Sequence, residues 1–95
     1  LASAEEPAEE GADFVMLQNE AYKEKTGSDY YRYDDNDSGE CVNVKKIFNT
    51  SDTYIYSMGR SVKLYAERDC EDKFATNKAS TDEPVYTKHA ILSFK

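Results

Sequence analysis

The chain contains no tryptophan, two cysteines, two prolines, four glycines and one histidine among its 95 residues. Two cysteines are too few for a multi-thiolate zinc centre or a dense disulfide framework. A single histidine removes most histidine-centred catalytic pairings. No apolar run approaches the ~18 residues of a membrane-crossing helix, and the mean hydropathy is −0.83. The reading is therefore one small soluble domain with no membrane association.

Positive charge is also in short supply, with 12 Lys and Arg against 19 Asp and Glu and a net charge of −7. Residues 1–40 carry 12 acidic and 3 basic side chains, whereas residues 41–95 carry 7 acidic and 9 basic ones. An acidic chain repels phosphate backbones, and Lys45, Lys46 and Lys63 are too scattered in sequence to form the basic footprint of a nucleic-acid-binding protein. No nucleic-acid partner is expected.

The first four residues, Leu1-Ala2-Ser3-Ala4, read either as the small-residue end of a removed signal peptide or as the start of a tail. Export is also favoured by the even cysteine count and by two glycosylation tripeptides, Asn36-Asp37-Ser38 and Asn49-Thr50-Ser51. Residues 1–12 hold four Glu and no large apolar residue after Leu1, so they read as a disordered acidic tail. The folded unit is then residues 13–95, a single secreted domain.

From Phe14 onward there is no sustained 3.6-residue apolar period. Aromatic and β-branched residues fall instead in runs of about five between turn-forming residues, which is a β pattern. Strands are expected at 14–18, 29–33, 40–44, 53–57, 61–65, 73–76, 84–87 and 90–94. Met58-Gly59 is expected to close a hairpin. Alternation places Val62, Leu64, Leu92 and Phe94 in the core, and Phe14 to Leu17, apolar on both faces, suits a central strand. Eight short strands predict an all-β, two-sheet sandwich.

The segments Gly39-Glu40-Cys41-Val42-Asn43-Val44, Phe48-Asn49, Ser61-Val62-Lys63-Leu64-Tyr65, Asp69-Cys70 and Ile91-Leu92-Ser93-Phe94-Lys95 resemble the single-domain βγ-crystallin-like proteins secreted by fungi and actinobacteria. The resemblance covers about residues 13–95 and implies two Greek keys. Each key opens with an aromatic, four residues, an aromatic, one residue and a glycine. Tyr65, Cys70 and Asp72 occupy those places in the second half, and Leu17, Tyr22 and Glu24, 48 residues earlier, in the first. Both glycines are absent. Asp tolerates a positive φ at modest cost and Glu rarely adopts one, so the first hairpin is the weaker match. A two-sheet sandwich of unrelated topology is the alternative.

Calcium is the ligand this resemblance brings first. The first copy of the family's motif would be Asn49-Thr50-Ser51-Asp52-Thr53-Tyr54, which keeps Asn49 and Thr53. The second, Lys88-His89-Ala90-Ile91-Leu92-Ser93, has no ligand and opens with a positive charge. The stretch Asp34 to Gly39 matches part of an EF-hand loop, but Lys45 stands at position twelve and the flanks read as strands, so it is a polar turn. Cys41 and Cys70 fit neither a zinc cluster nor a redox pair and read as one structural disulfide. No nucleophile elbow or phosphate loop is present, and His89 reads as a solvated turn residue. The expectation is a monomeric, non-catalytic binding protein without a cofactor, acting on a host or competitor protein. The resemblance brings fungal effectors, killer toxins and a metalloproteinase inhibitor as relatives. Tyr33, Asp35, Asp37, Asp52 and Tyr54 form the expected partner surface, and a calcium-binding structural or stress module is the alternative.

Overall fold

The computed structural model describes residues 13–34, 40–79 and 84–95. The proposed tail at 1–12 and three expected site residues, Asp35, Asn36 and Asp37, lie outside them. The chain forms β1 (Phe14–Gln18), α1 (Glu20–Thr26), β2 (Tyr31–Asp34), β3 (Val42–Asn43), β4 (Tyr54–Met58), β5 (Val62–Tyr65), β6 (Lys73–Asn77), β7 (Val85–Tyr86) and β8 (Ser93–Phe94). Two 3-10 turns, Lys46–Phe48 and Arg68–Cys70, complete it. The eight strands form two antiparallel four-stranded sheets of order β2-β1-β4-β7 and β3-β8-β5-β6.

Alternation along the strands builds the core. Val15 and Leu17 from β1, Ile55 from β4, Val62 and Leu64 from β5 and Phe94 from β8 are buried in one cluster with Val44, Phe48 and Ile91. Both sheets contribute to this cluster, so the architecture is sandwich-like. The sheets are also joined by polar contacts. Asn77 Nδ2 of β6 donates to Ser57 Oγ of β4 at 2.7 Å, with both groups buried. A buried pair that satisfies itself in this way fixes the sheets' relative position at little cost.

The eight strands fall where the periodicity predicts, and β1 is central, paired on both sides. Three local expectations are corrected. The first is α1, which occupies the place of the hairpin anticipated at Leu17, Tyr22 and Glu24. Asn19 caps its start, its Oδ1 accepting from the Tyr22 N–H at 2.8 Å, and Gly27 ends it at φ 77° with its N–H on Lys23 O. The second is Met58-Gly59, which closes no hairpin. It carries the chain from β4 in one sheet to β5 in the other. Gly59 has φ 98°, and a Cβ there would overlap the Asp13 carboxylate and approach its Cα at 3.2 Å. The third is Leu92, which is half-buried while Ile91 is fully buried. Tyr65 faces Ser93 in the register, and its carbonyl also accepts from the Leu92 N–H at 3.1 Å. Adjacent Ser93 and Phe94 are both buried, so the two-residue alternation breaks between them and Ile91 turns inward.

The β5–β6 connection is a folded hairpin. Ala66 N–H donates to Asp72 O and Glu67 N–H to Glu71 O, while Asp69, Cys70 and Asp72 take φ of 61°, 58° and 63°. Asp72 thus adopts the left-handed conformation for which a glycine was missed. Buried Ser93 holds the turn, its Oγ accepting from the Cys70 N–H at 2.9 Å and donating to Glu67 O at 2.6 Å. Asn43 and Asp69 exchange two hydrogen bonds, at 2.7 and 3.0 Å.

Cys41 and Cys70 form a disulfide with Cα atoms 5.9 Å apart, which ties the approach to β3 to this hairpin across 29 residues of sequence. A closed loop of that size contributes about 3–4 kcal/mol in the chain-entropy picture. For a domain this small that corresponds to a fall in Tm of about 12–32 °C on reduction. Thermal unfolding followed by circular dichroism with and without reductant checks it; an unchanged Tm contradicts the assignment.

Candidate binding surface

The two sheets present different faces to solvent. In the first sheet, residues that alternate with Val15, Leu17, Ile55 and Ser57 point away from the core: Phe14 and Met16 from β1, and Tyr54, Tyr56 and Met58 from β4. The register sets Phe14 beside Met58, Met16 beside Tyr56, and Tyr54 between Gln18 and Tyr86. Phe14 and Tyr56 lie 6.3 Å apart between ring centroids, and Tyr54 and Tyr86 5.3 Å. Tyr54 and Tyr86 are 40% and 51% exposed, two of the four large apolar residues that are exposed among those described. Arg32 lies 3.9 Å above the Phe14 ring and pairs with Asp34 at 2.6 Å, placing charge along one margin. The corresponding surface of the second sheet is more polar, with Lys63 opposite Thr76 and bonded through its backbone to Lys95, and half-buried Tyr65 opposite Lys73.

A sheet face lined by aromatic and methionine side chains is costly to leave in water, which makes it the candidate surface. Edge strand β7 adds its own backbone, since β4 is its pairing partner in the sheet.

The expected surface residues are only partly brought together here. Tyr54 lies in the patch, and Asp52 is exposed in the loop leading to it, hydrogen-bonded to Thr50. Tyr33 faces the interior. Its ring packs edge-on against Tyr31 at 4.9 Å and Phe94 at 5.6 Å, and its hydroxyl accepts from the Lys45 N–H at 2.8 Å. Tyr86, Met16 and Met58 were missed. The alternation that buries Ile55 already implied an outward Tyr54 and Tyr56, whereas the neighbours from β1 and β7 depend on strand order, which periodicity does not carry.

The calcium candidate is positioned as follows. The Thr53 side chain is fully buried, its hydroxyl donating to Phe48 O at 3.2 Å and accepting from Asn19 Nδ2 at 3.3 Å. Asn49, also the glycosylation candidate, is half-buried after the Lys46–Phe48 turn, and its Oδ1 is buried without a hydrogen-bond partner. Among the described residues no three His, Cys, Asp or Glu side chains converge on a point. His89 is exposed and its ring lies 4.8 Å from that of Phe74, tilted by 47°. Among the described residues no helix is long and apolar enough to cross a membrane. Comparison with family models, with curated proteins and with solved structures gives no match.

Burial pushes the Tyr33 phenol above the ordinary tyrosine range, against a lowering contribution from the Lys45 amide; Tyr31 and Tyr22 add to the rise. The fold therefore holds the proton after the unfolded chain has begun to lose it near pH 10. Above that pH the native state binds more protons, and stability falls as pH rises. Urea unfolding between pH 8 and 11 should show this loss, reduced in Tyr33→Phe; equal alkaline slopes in the two proteins would contradict it.

Proposed function

We propose that this chain is a small secreted, non-catalytic binding protein that captures another protein on the outer face of its first sheet. The observation that carries the reading is the contrast between the two outer faces, one built from Phe14, Met16, Tyr54, Tyr56, Met58 and Tyr86 and the other from Lys63, Thr76 and Lys95. Core demands are the same on both sheets, so the apolar surplus on one has no use inside the domain. The net charge of −7 favours a partner with a basic rim around an apolar centre.

The fold itself we read as two Greek keys of the βγ-crystallin kind. Advancing each strand of β2-β1-β4-β7 by four places, cyclically, yields β6-β5-β8-β3, the second sheet read in reverse. Each half thus keeps three strands together and lends its third to the other sheet. Asp72 at φ 63° supports the same reading in the second half, while α1 departs from it in the first. With the disulfide, this reading favours an extracellular effector or inhibitor directed at a host or competitor protein, acting as a monomer.

The test is cross-linking capture from host extracellular fluid. A protein recovered with the wild type should be lost when Tyr54→Ser and Tyr86→Ser are combined, and retained with Tyr30→Ser, since Tyr30 is exposed outside the patch. Retention of the same protein by the double variant would refute the surface, and recovery of none by the wild type would refute the binding role.

The unpartnered Asn49 Oδ1 favours a second reading, a calcium-stabilised module. Thr53 opposes it, because its hydroxyl is committed to Phe48 and Asn19. Calorimetric titration of chelator-treated protein is expected to show no saturable calcium binding. Micromolar binding that disappears in Asn49→Ala with Asp52→Ala would favour the module instead.

A further inference from the structure

A cleft of about 440 Å³ opens between α1 and the Lys46–Phe48 turn, away from the aromatic sheet face. Its walls include the rings of Tyr22 and Tyr31 and the side chains of Lys25, Lys45, Lys46 and Ile47. The volume lies within the range of small-molecule sites. Three lysines line this cleft in a chain of net charge −7, and among the described residues none of the three forms an ion pair with a carboxylate. Sequence spacing hid the cluster, because Lys25 arrives from α1 while Lys45 and Lys46 come from the chain beyond β3.

The aromatic part is equally ordered. Tyr22 and Tyr31 meet edge to face with centroids 6.1 Å apart, and both lean on buried Phe48, at 5.1 and 6.3 Å. Lys45 Nζ stands 4.7 Å over the Tyr31 ring. The walls are held from behind by Asn19, which is 1% exposed. Its Oδ1 accepts from the Tyr22 N–H and its Nδ2 donates to Ile47 O at 2.7 Å, joining the first turn of α1 to the 3-10 turn. The Lys45 N–H is anchored on the Tyr33 hydroxyl. A concave site with two aromatic rings and three lysines that pair with no carboxylate among the described residues, backed by buried hydrogen bonds, is preorganised for a ligand that is flat at one end and anionic at the other.

We propose that this cleft binds an aromatic ring joined to a phosphate group, the ring against Tyr22 and Tyr31 and the phosphate among Lys25, Lys45 and Lys46. Aryl phosphates and nucleotides share that chemistry. Titration of the full chain, followed by amide shifts in NMR, with phenyl phosphate, adenosine monophosphate, adenosine and inorganic phosphate tests it and separates the two sources. At least one ring-bearing phosphate should bind saturably, at least tenfold more tightly than inorganic phosphate or adenosine, and weaken as salt rises. Lys45→Gln with Lys46→Gln should weaken it at least tenfold. Both side chains are exposed, so an unchanged Tm will show that the fold is intact. Lys63→Gln, on the second sheet, should change nothing. Inorganic phosphate binding as tightly as both ring-bearing probes would overturn the proposal, as would the absence of saturable binding or a double variant that binds like the wild type.

Discussion

Neither half of this chain completes a sheet by itself. The third strand of each half finds its partner in the other sheet: β3 pairs with β8, and β7 pairs with β4. The exchange shares one core between the halves, because Val15, Leu17 and Ile55 pack in the same cluster as Val62, Leu64 and Phe94. Two further features depend on it. Crossing of β7 sets Tyr86 against Tyr54 and so widens the aromatic face. Crossing of β3 delivers Cys41 and Asn43 to the folded hairpin, where the disulfide and the Asn43–Asp69 pair close.

The halves agree in strand order and differ in how they join their first two strands. Between β5 and β6 the link is a hairpin held by Ser93, and between β1 and β2 it is α1 capped by Asn19. Each link hangs on one buried polar side chain that satisfies two backbone groups, the kind of contact that costs most when one partner is removed. The divergence is where the two halves acquire separate chemistry. One connection carries the covalent staple, and the other carries one wall of the lysine and tyrosine cleft.

Much of this was legible in the sequence, for physical reasons that can be named. Strand positions were readable because burial imposes a two-residue period on runs such as Phe14 to Gln18 and Val62 to Tyr65. Helix α1 was not, because seven residues with no buried side chain produce no apolar stripe; its only local signals were the brackets Asn19 and Gly27. The inward Ile91 was hidden by a one-residue irregularity, and the change of sheet at Gly59 by its likeness to a tight turn. Among the binding candidates, Tyr54 was visible as an alternating outward residue, whereas Tyr86, Met16 and the convergence of Lys25 with Lys45 depend on tertiary neighbours.

The outer face of the first sheet is lined by aromatic and methionine side chains, whereas Lys63, Thr76 and Lys95 lie on that of the second. Site-resolved photo-cross-linking measures directly whether the proposed partner meets the aromatic face. A photoreactive residue placed in turn at Met16 and Tyr86, and at Lys63 and Thr76 on the opposite sheet, should link to one common protein from the first two positions only. Equal yields from all four, or linkage from Lys63 and Thr76 alone, would contradict the account.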